Sequence, residues 1–319
     1  MPCTGLAHPM GFFSLAERDS ATIMQRMHTG ARTLLLLLVS LLLPSTLLAT
    51  TPRPREYWEE IIRRDHAVPQ GTTALALARE LTGFLGHADP LWRDEFGFSI
   101  TAAWVQKGLL GPEDLRALMP LWLEGLERAG QEQALTRSFA ALNLSLVAAL
   151  EANRPFLTQE EFARLLSAAL HELRTETDLR GWVPGIGWVH ATAHSADLLR
   201  QLARSPRLAP ADQEAILAGL ADLLRRAYPV FNYGEPERLA RIVVRLSQRE
   251  DFALAAWQAT AQRLASLPEG FSGVHPEPAP YAAKRNAQAF LAAAHLQLLA
   301  SKSRNCDAAA AAISAHFRP

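Results

Sequence analysis

Two histidines four residues apart with a carboxylate three further on are residue types from which a metal site or an acid/base centre is built. The segment Glu176–Leu199, ETDLRGWVPGIGWVHATAHSADLL, carries such a set in His190, His194 and Asp197. On a helix, positions i, i+4 and i+7 share one face. Two imidazoles at that spacing reach a single point and chelate a divalent metal, with Asp197 as an oxygen ligand. Without a metal, the same histidines serve as bases, and Asp197 or Asp178 orients them. The zinc-protease pattern is not met, because Ala191 stands where a Glu would directly follow the first His. A bland alternative also fits: Ala191, Ala193, Ser195 and Ala196 let the helix pack closely while the histidines hydrogen-bond internally.

The residues just upstream suggest how a ligand could be held. Asp178 and Arg180 suit a charge-assisted pair, or Arg180 binds an anion beside the helix N-terminus. Trp182 and Trp188 flank glycines and either wall a pocket or plug the core. Arg93, Asp94, Arg137, Ser138, Asn143, Arg238 and Asn286 are polar residues inside apolar helical patterns. They line a binding face or form internal pairs that fix helix register. Glu235 and Glu237 at a helix start fit the macrodipole. The glycines of GWVPGIG follow no strand pattern, so no nucleotide-binding loop is read here.

The elements that must position these groups are helices. Apolar residues recur at spacings of 3 and 4 over roughly 56–66, 72–86, 132–152, 187–204, 210–226, 235–249, 252–266 and 281–302. Asp89-Pro90 opens a further helix ended by Gly108, Gly111-Pro112 opens another, and Thr158 with Glu161 forms a capping box. No stretch alternates as a strand does. The predicted fold is all-α: stacked antiparallel helix pairs in a HEAT- or armadillo-like superhelix, with a closed α/α toroid as the alternative. The irregular joins are Asp178–Ile186 and Leu267–Pro280, the second crossing the surface as a loop or flap.

Hydrophobic residues make up 49% of the 319, enough for a sizeable core, and 32 basic residues balance 32 acidic ones. That balance gives no reason to expect a nucleic-acid partner. Leu34–Leu43 reads LLLLLVSLLL between Arg26/Arg32 and Leu47-Leu48-Ala49, the layout of a secretory signal rather than a membrane span. Residues 1–49 therefore read as an upstream extension plus leader, with the start at Met24 or Met27, and 50–319 as one helical domain without a transmembrane segment. The expected location is the periplasm; an uncleaved signal anchoring the chain to the inner membrane is the alternative. With Cys3 upstream of the leader, only Cys306 remains, so no internal disulfide forms.

In DPLWRDEFGFSI (Asp89–Ile100), TRSFAALNL (Thr136–Leu144), Glu176–Leu199, GEPERLA (Gly234–Ala240) and KRNAQAFL (Lys284–Leu291) the chain resembles a bacterial family known as domain of unknown function 2785. The resemblance implies a helical, HEAT-like domain and supplies no activity. Positions that fit its motif are Arg93, Asp94, Arg137, Ser138, Asp178, Arg180, Trp188, His190, His194, Asp197, Glu235 and Arg238; the leader is a departure from it. Two functions are expected. The first is an exported binding or scaffold module whose concave polar face, including Arg180, Trp182, Trp188, Arg93, Asp94, Arg137 and Arg238, holds a protein, peptide or glycan. The alternative is a metal-assisted or acid/base hydrolase centred on His190, His194 and Asp197.

Overall fold

The computed structural model describes residues 53–266, 277–303 and 305–316. The expected leader and residues 267–276 of the second join lie outside these. The chain divides into Met1–Arg53 and Pro54–Pro319, and every element below belongs to the second unit.

Helix starts follow local chemistry. In chain order the elements are α1 (Arg55–Arg63), α2 (Ala74–Thr82), a π-helical segment (Leu91–Ile100) running into α3 (Thr101–Gln106), α4 (Pro112–Leu126), a 3-10 turn (Gln131–Gln133), α5 (Ala134–Asn153) and α6 (Gln159–Thr175). There follow α7 (Ala191–Leu202), α8 (Pro210–Arg226), α9 (Glu235–Ser247), α10 (Leu254–Ala265), α11 (Pro278–Ala300) and α12 (Cys306–Ser314). The Thr158/Glu161 box caps α6, with bonds of 3.1 and 2.7 Å that satisfy two otherwise unpaired N–H groups. Pro112 and Pro210 open α4 and α8, where a missing N–H costs nothing.

From α4 onward successive helices alternate between two rows. α5, α7, α9 and α11 pack side by side in one, and α4, α6, α8, α10 and α12 in the other. Between and beside them lies a continuous apolar core in which Trp58, Trp104, Trp122 and Trp257 are fully buried. Among the described residues the fold is all-α but for one two-stranded hairpin, β1 (Trp182–Val183) and β2 (Gly187–Trp188). Among the described residues no helix is long and apolar enough to cross a membrane.

Besides helix ends that shift by a few residues, as where the helix expected over 72–86 spans Ala74–Thr82, four features differ from the sequence expectation. The helix expected from 187 begins at Ala191, because residues 187–188 pair with 182–183 in the hairpin. Pro278 and Pro280 lie inside the first turn of α11, so the long join ends at Glu277. α12 was not anticipated, because its run of alanines leaves no polar face against which the buried stripe of Cys306, Ala309, Ala310 and Ile313 stands out. The first part of the Asp89–Gly108 helix is π-helical, with Ser99 Oγ bonding the carbonyl of Asp94 five residues back.

Candidate functional site

The hairpin sets the site. Pro184 and Gly185, the latter at φ +80°, make the turn, and the register pairs Trp182 with Trp188 and Val183 with Gly187. Cross-strand partners project to the same face, so both indoles stand on one side, 44% and 40% exposed. The chain leaves β2 through the Val189 N–H bond to Gly181 O and the His190 N–H bond to Arg180 O. It then enters α7 with His190 as N-cap in the left-handed region, at φ 49°.

That conformation corrects the expected geometry: His190 precedes the helix rather than occupying its first turn. The two rings nevertheless meet edge to face, 5.8 Å between centroids. His190 stacks on Trp188 at 4.3 Å, and Trp188 in turn meets Tyr233 edge-on at 5.9 Å. Tyr233 is 45% exposed, so three partly exposed aromatics flank one small area. A cavity of about 270 Å³ opens beside it, lined by Arg180, Trp182, Phe231, Asn232, Tyr233 and Glu235 among others.

Beneath the aromatics the histidines are held neutral. Ser138 Oγ donates to Val189 O, and its contact with His194 Nδ1 is 2.8 Å. A hydroxyl has one hydrogen, so His194 is the donor in that contact and its proton sits on Nδ1. Burial, then the charges of His190 and Arg238, push the His194 pKa well below the usual histidine value. Burial and the Arg238 charge lower that of His190 to about 4. His190 Nε2 is buried without a hydrogen bond, 3.7 Å from Glu235 Oε1. Burial raises the Glu235 pKa, while its Oε2 accepts the Tyr233 N–H at 2.9 Å. Glu235 is thus more than a partner of the helix dipole; it forms the wall opposite His190.

Asp197 and Asp178 do not join this centre. Asp197 Oδ2 accepts from Arg238 at 2.7 Å and Oδ1 lies 3.5 Å from Arg200. Asp178 receives Arg180 through two bonds, 2.8 and 2.5 Å. Among the described residues no three His, Cys, Asp or Glu side chains are arranged to hold a metal ion. The expected His190/His194/Asp197 ligand set is therefore not assembled, because Arg238 draws Asp197 away.

Three other expected residues serve elsewhere. Arg93 is fully buried under the hairpin, bonding Ile186 O at 2.9 Å and His87 O at 2.9 Å, with Asp94 2.7 Å from its Nε. Arg137 clasps Glu176 through bonds of 2.7 and 3.0 Å at a separate cavity of about 320 Å³, which Glu172 also lines. Sequence reading missed Tyr233, Glu172 and Arg200. The i, i+4 spacing of Glu172 and Glu176 and the i, i+3 spacing of Asp197 and Arg200 could have signalled two of them; nothing local signals Tyr233.

A family model described as protein of unknown function (DUF2785) matches residues 123–297, more than half of the chain. The chain belongs to the DUF2785 family. The matched DUF2785 region spans the hairpin, His190, His194, Glu235 and Arg238, but not Arg93 or Asp94. No curated protein and no solved structure matches the chain.

Gly181 offers a direct check of the DUF2785 site. A Cβ built there falls 2.2 Å from Tyr233 Cδ2 and 2.7 Å from Glu235 Oε1. Gly181→Ala is expected to displace both side chains and cost about 1–3 kcal/mol. Urea unfolding reads the loss, and tryptophan emission reads the altered setting of Trp188; an unchanged spectrum and midpoint would show that Tyr233 does not pack on Gly181.

Proposed function

We propose that this chain is an exported helical binding module, its two rows forming a HEAT-like superhelix, and that the aromatic cleft at the starts of α7 and α9 holds a polar ligand of the cell envelope. The observation that carries this reading is the cluster of Trp182, Trp188 and Tyr233, exposed to 44%, 40% and 45%, around a buried His190 Nε2 without a hydrogen-bond partner. Large aromatics left in water beside an unpaired polar atom are the composition of a binding surface, where ring faces supply contact area and the polar atom supplies orientation.

The test exploits the tryptophans. Trp58, Trp104, Trp122 and Trp257 are buried and Trp92 is partly buried, so Trp182 and Trp188 are the most exposed of the seven tryptophans and the ones acrylamide reaches most readily. Titrating a panel of soluble envelope oligosaccharides and peptides is expected to yield a ligand that shields these two from quenching. Trp188→Ala should weaken its binding roughly tenfold or more. Unchanged affinity in that variant, or no shielding by any member of the panel, would count against the cleft.

A second reading, an acid/base hydrolase, is favoured by the His190–Glu235 pair, in which the imidazole is pushed towards its neutral form and the carboxyl towards its protonated one. Following the same titration for product separates the two, since a binding module leaves the ligand intact.

A further inference from the structure

Next to the cleft, α7 and α9 carry a charge pattern that the histidine centre does not use. α7 is buried except for Asp197, Arg200 and Gln201, with Arg204 just beyond its end. These positions, i, i+3, i+4 and i+7, form one stripe. On the adjacent α9, Arg238, Arg241 and Arg245 make a second stripe, about 10 Å long at 1.5 Å per residue. Asp197 joins the stripes, lying 2.7 Å from Arg238 and 3.5 Å from Arg200. One carboxylate thus serves two guanidiniums.

The remaining cations are not neutralised by it. Arg245 bonds the neutral amide of Gln248 at 2.7 Å, and Arg204 bonds Gln201 and Asn153, each at 2.6 Å. Glu237, exposed one turn before Arg241, adds a second acid to this surface. Arg200 Nε is buried without a hydrogen bond. Burial lowers the Arg200 pKa, and the charges of Arg241, Arg245 and Arg238 push in the same direction against Asp197. Like charges gathered in a chain of zero net charge repel one another, and a polyanion removes that repulsion.

We propose that the α7 and α9 stripes bind a polyanionic saccharide chain, whose rings stack on Trp188 and Tyr233 while its carboxylates pair with Arg200, Arg238, Arg241 and Arg245. The inference rests on the binding reading above and names the ligand class for that cleft. Guanidinium forks match carboxylates two bonds at a time. The aromatic faces match the C–H faces of sugar rings, which the backbone of an acidic peptide lacks. Cleft and stripes are continuous, because Trp188 stacks on His190, His190 faces Glu235, and Glu235 begins the helix that presents Arg238 one turn later.

The test compares three probes on the full chain: a galacturonate oligomer, an uncharged glucose oligomer of equal length, and poly-L-glutamate. The galacturonate is expected to bind with an affinity that falls as salt rises. It should weaken roughly tenfold or more in Arg241→Ala/Arg245→Ala, a surface pair whose loss spares the core. Equal, salt-independent binding of the uncharged oligomer overturns the charge assignment and leaves the cleft reading standing. Binding of poly-L-glutamate without galacturonate overturns the saccharide assignment. Galacturonate binding that the double variant does not change overturns the role of the stripe. Binding of none of the three overturns the proposal, whereas the cleft itself is judged by the shielding of Trp182 and Trp188 across the wider panel.

Discussion

Arg93→Leu is expected to lower the unfolding free energy by about 3–5 kcal/mol. The guanidinium is fully buried and meets four oxygens: His87 O at 2.9 Å, Ala88 O at 3.2 Å, Ile186 O at 2.9 Å and Asp94 Oδ1 at 2.7 Å. It also lies 4.9 Å from the centre of the Phe139 ring. Leucine replaces the apolar stem but leaves those carbonyls and a carboxylate facing an apolar group, and unpaired buried acceptors carry the full cost of desolvation. The bond to Ile186 ties the hairpin turn to the π-helical segment, so emission from Trp182 and Trp188 should change as well. Guanidinium unfolding with an unchanged slope reads the loss. A drop of less than about 1 kcal/mol would mean that the carbonyls find other partners.

Glu172→Gln is expected to remove the fall in stability on the alkaline side. Burial, then the charge and hydrogen bond of Glu176, raise the Glu172 pKa from 4.5 to about 8, with Arg137 opposing. Between those values the folded state holds a proton that the unfolded state has released. Its stabilising contribution is therefore complete at low pH and declines as pH rises from about 4.5 through 8, by at most about 1.4 kcal/mol per unit. Glutamine mimics the protonated acid and removes that slope. The histidines act with the opposite sign: with the His190 pKa depressed from 6.5 to about 4, its contribution is present above 6.5 and lost as pH falls through that interval. Between pH 5 and 6.5 the two histidines oppose Glu172, and the parent should rise or stay level. From pH 6.5 to pH 8 its stability in urea should fall, whereas Glu172→Gln should rise to about pH 6.5 and then level off, with a divergence that grows from pH 5 to on the order of 3 kcal/mol at pH 8. Parallel profiles would sink the assignment of a protonated Glu172.

Most helices were legible because their ends are written locally. Thr158-x-x-Glu161 and Gly111-Pro112 mark helix starts whose backbone groups are satisfied within a single turn, and both helices begin where those signals stand. The hairpin was not legible, since strands of two residues are too short to show alternation, and its glycines read equally well as a loop. The π-helical stretch was read as ordinary helix because a widened turn keeps nearly the same apolar spacing. His190 and His194 were found by spacing, yet their meeting depends on the left-handed backbone at His190, which no i, i+4 rule contains. The fate of Asp197 was decided by Arg238, 41 residues away on a neighbouring helix. Pairings across the rows require knowing which helices adjoin.

Arg93 also has a bearing on how the protein can be cut. The match to DUF2785 begins at residue 123, but the guanidinium that supports the hairpin comes from 30 residues earlier, in the turn after Asp89. A shortened chain starting at the family boundary would keep every aromatic and histidine of the cleft and lose the floor on which they rest. The smallest unit able to hold that cleft in shape therefore begins before Asp89, and its edge is set by a buried cation rather than by the extent of sequence similarity.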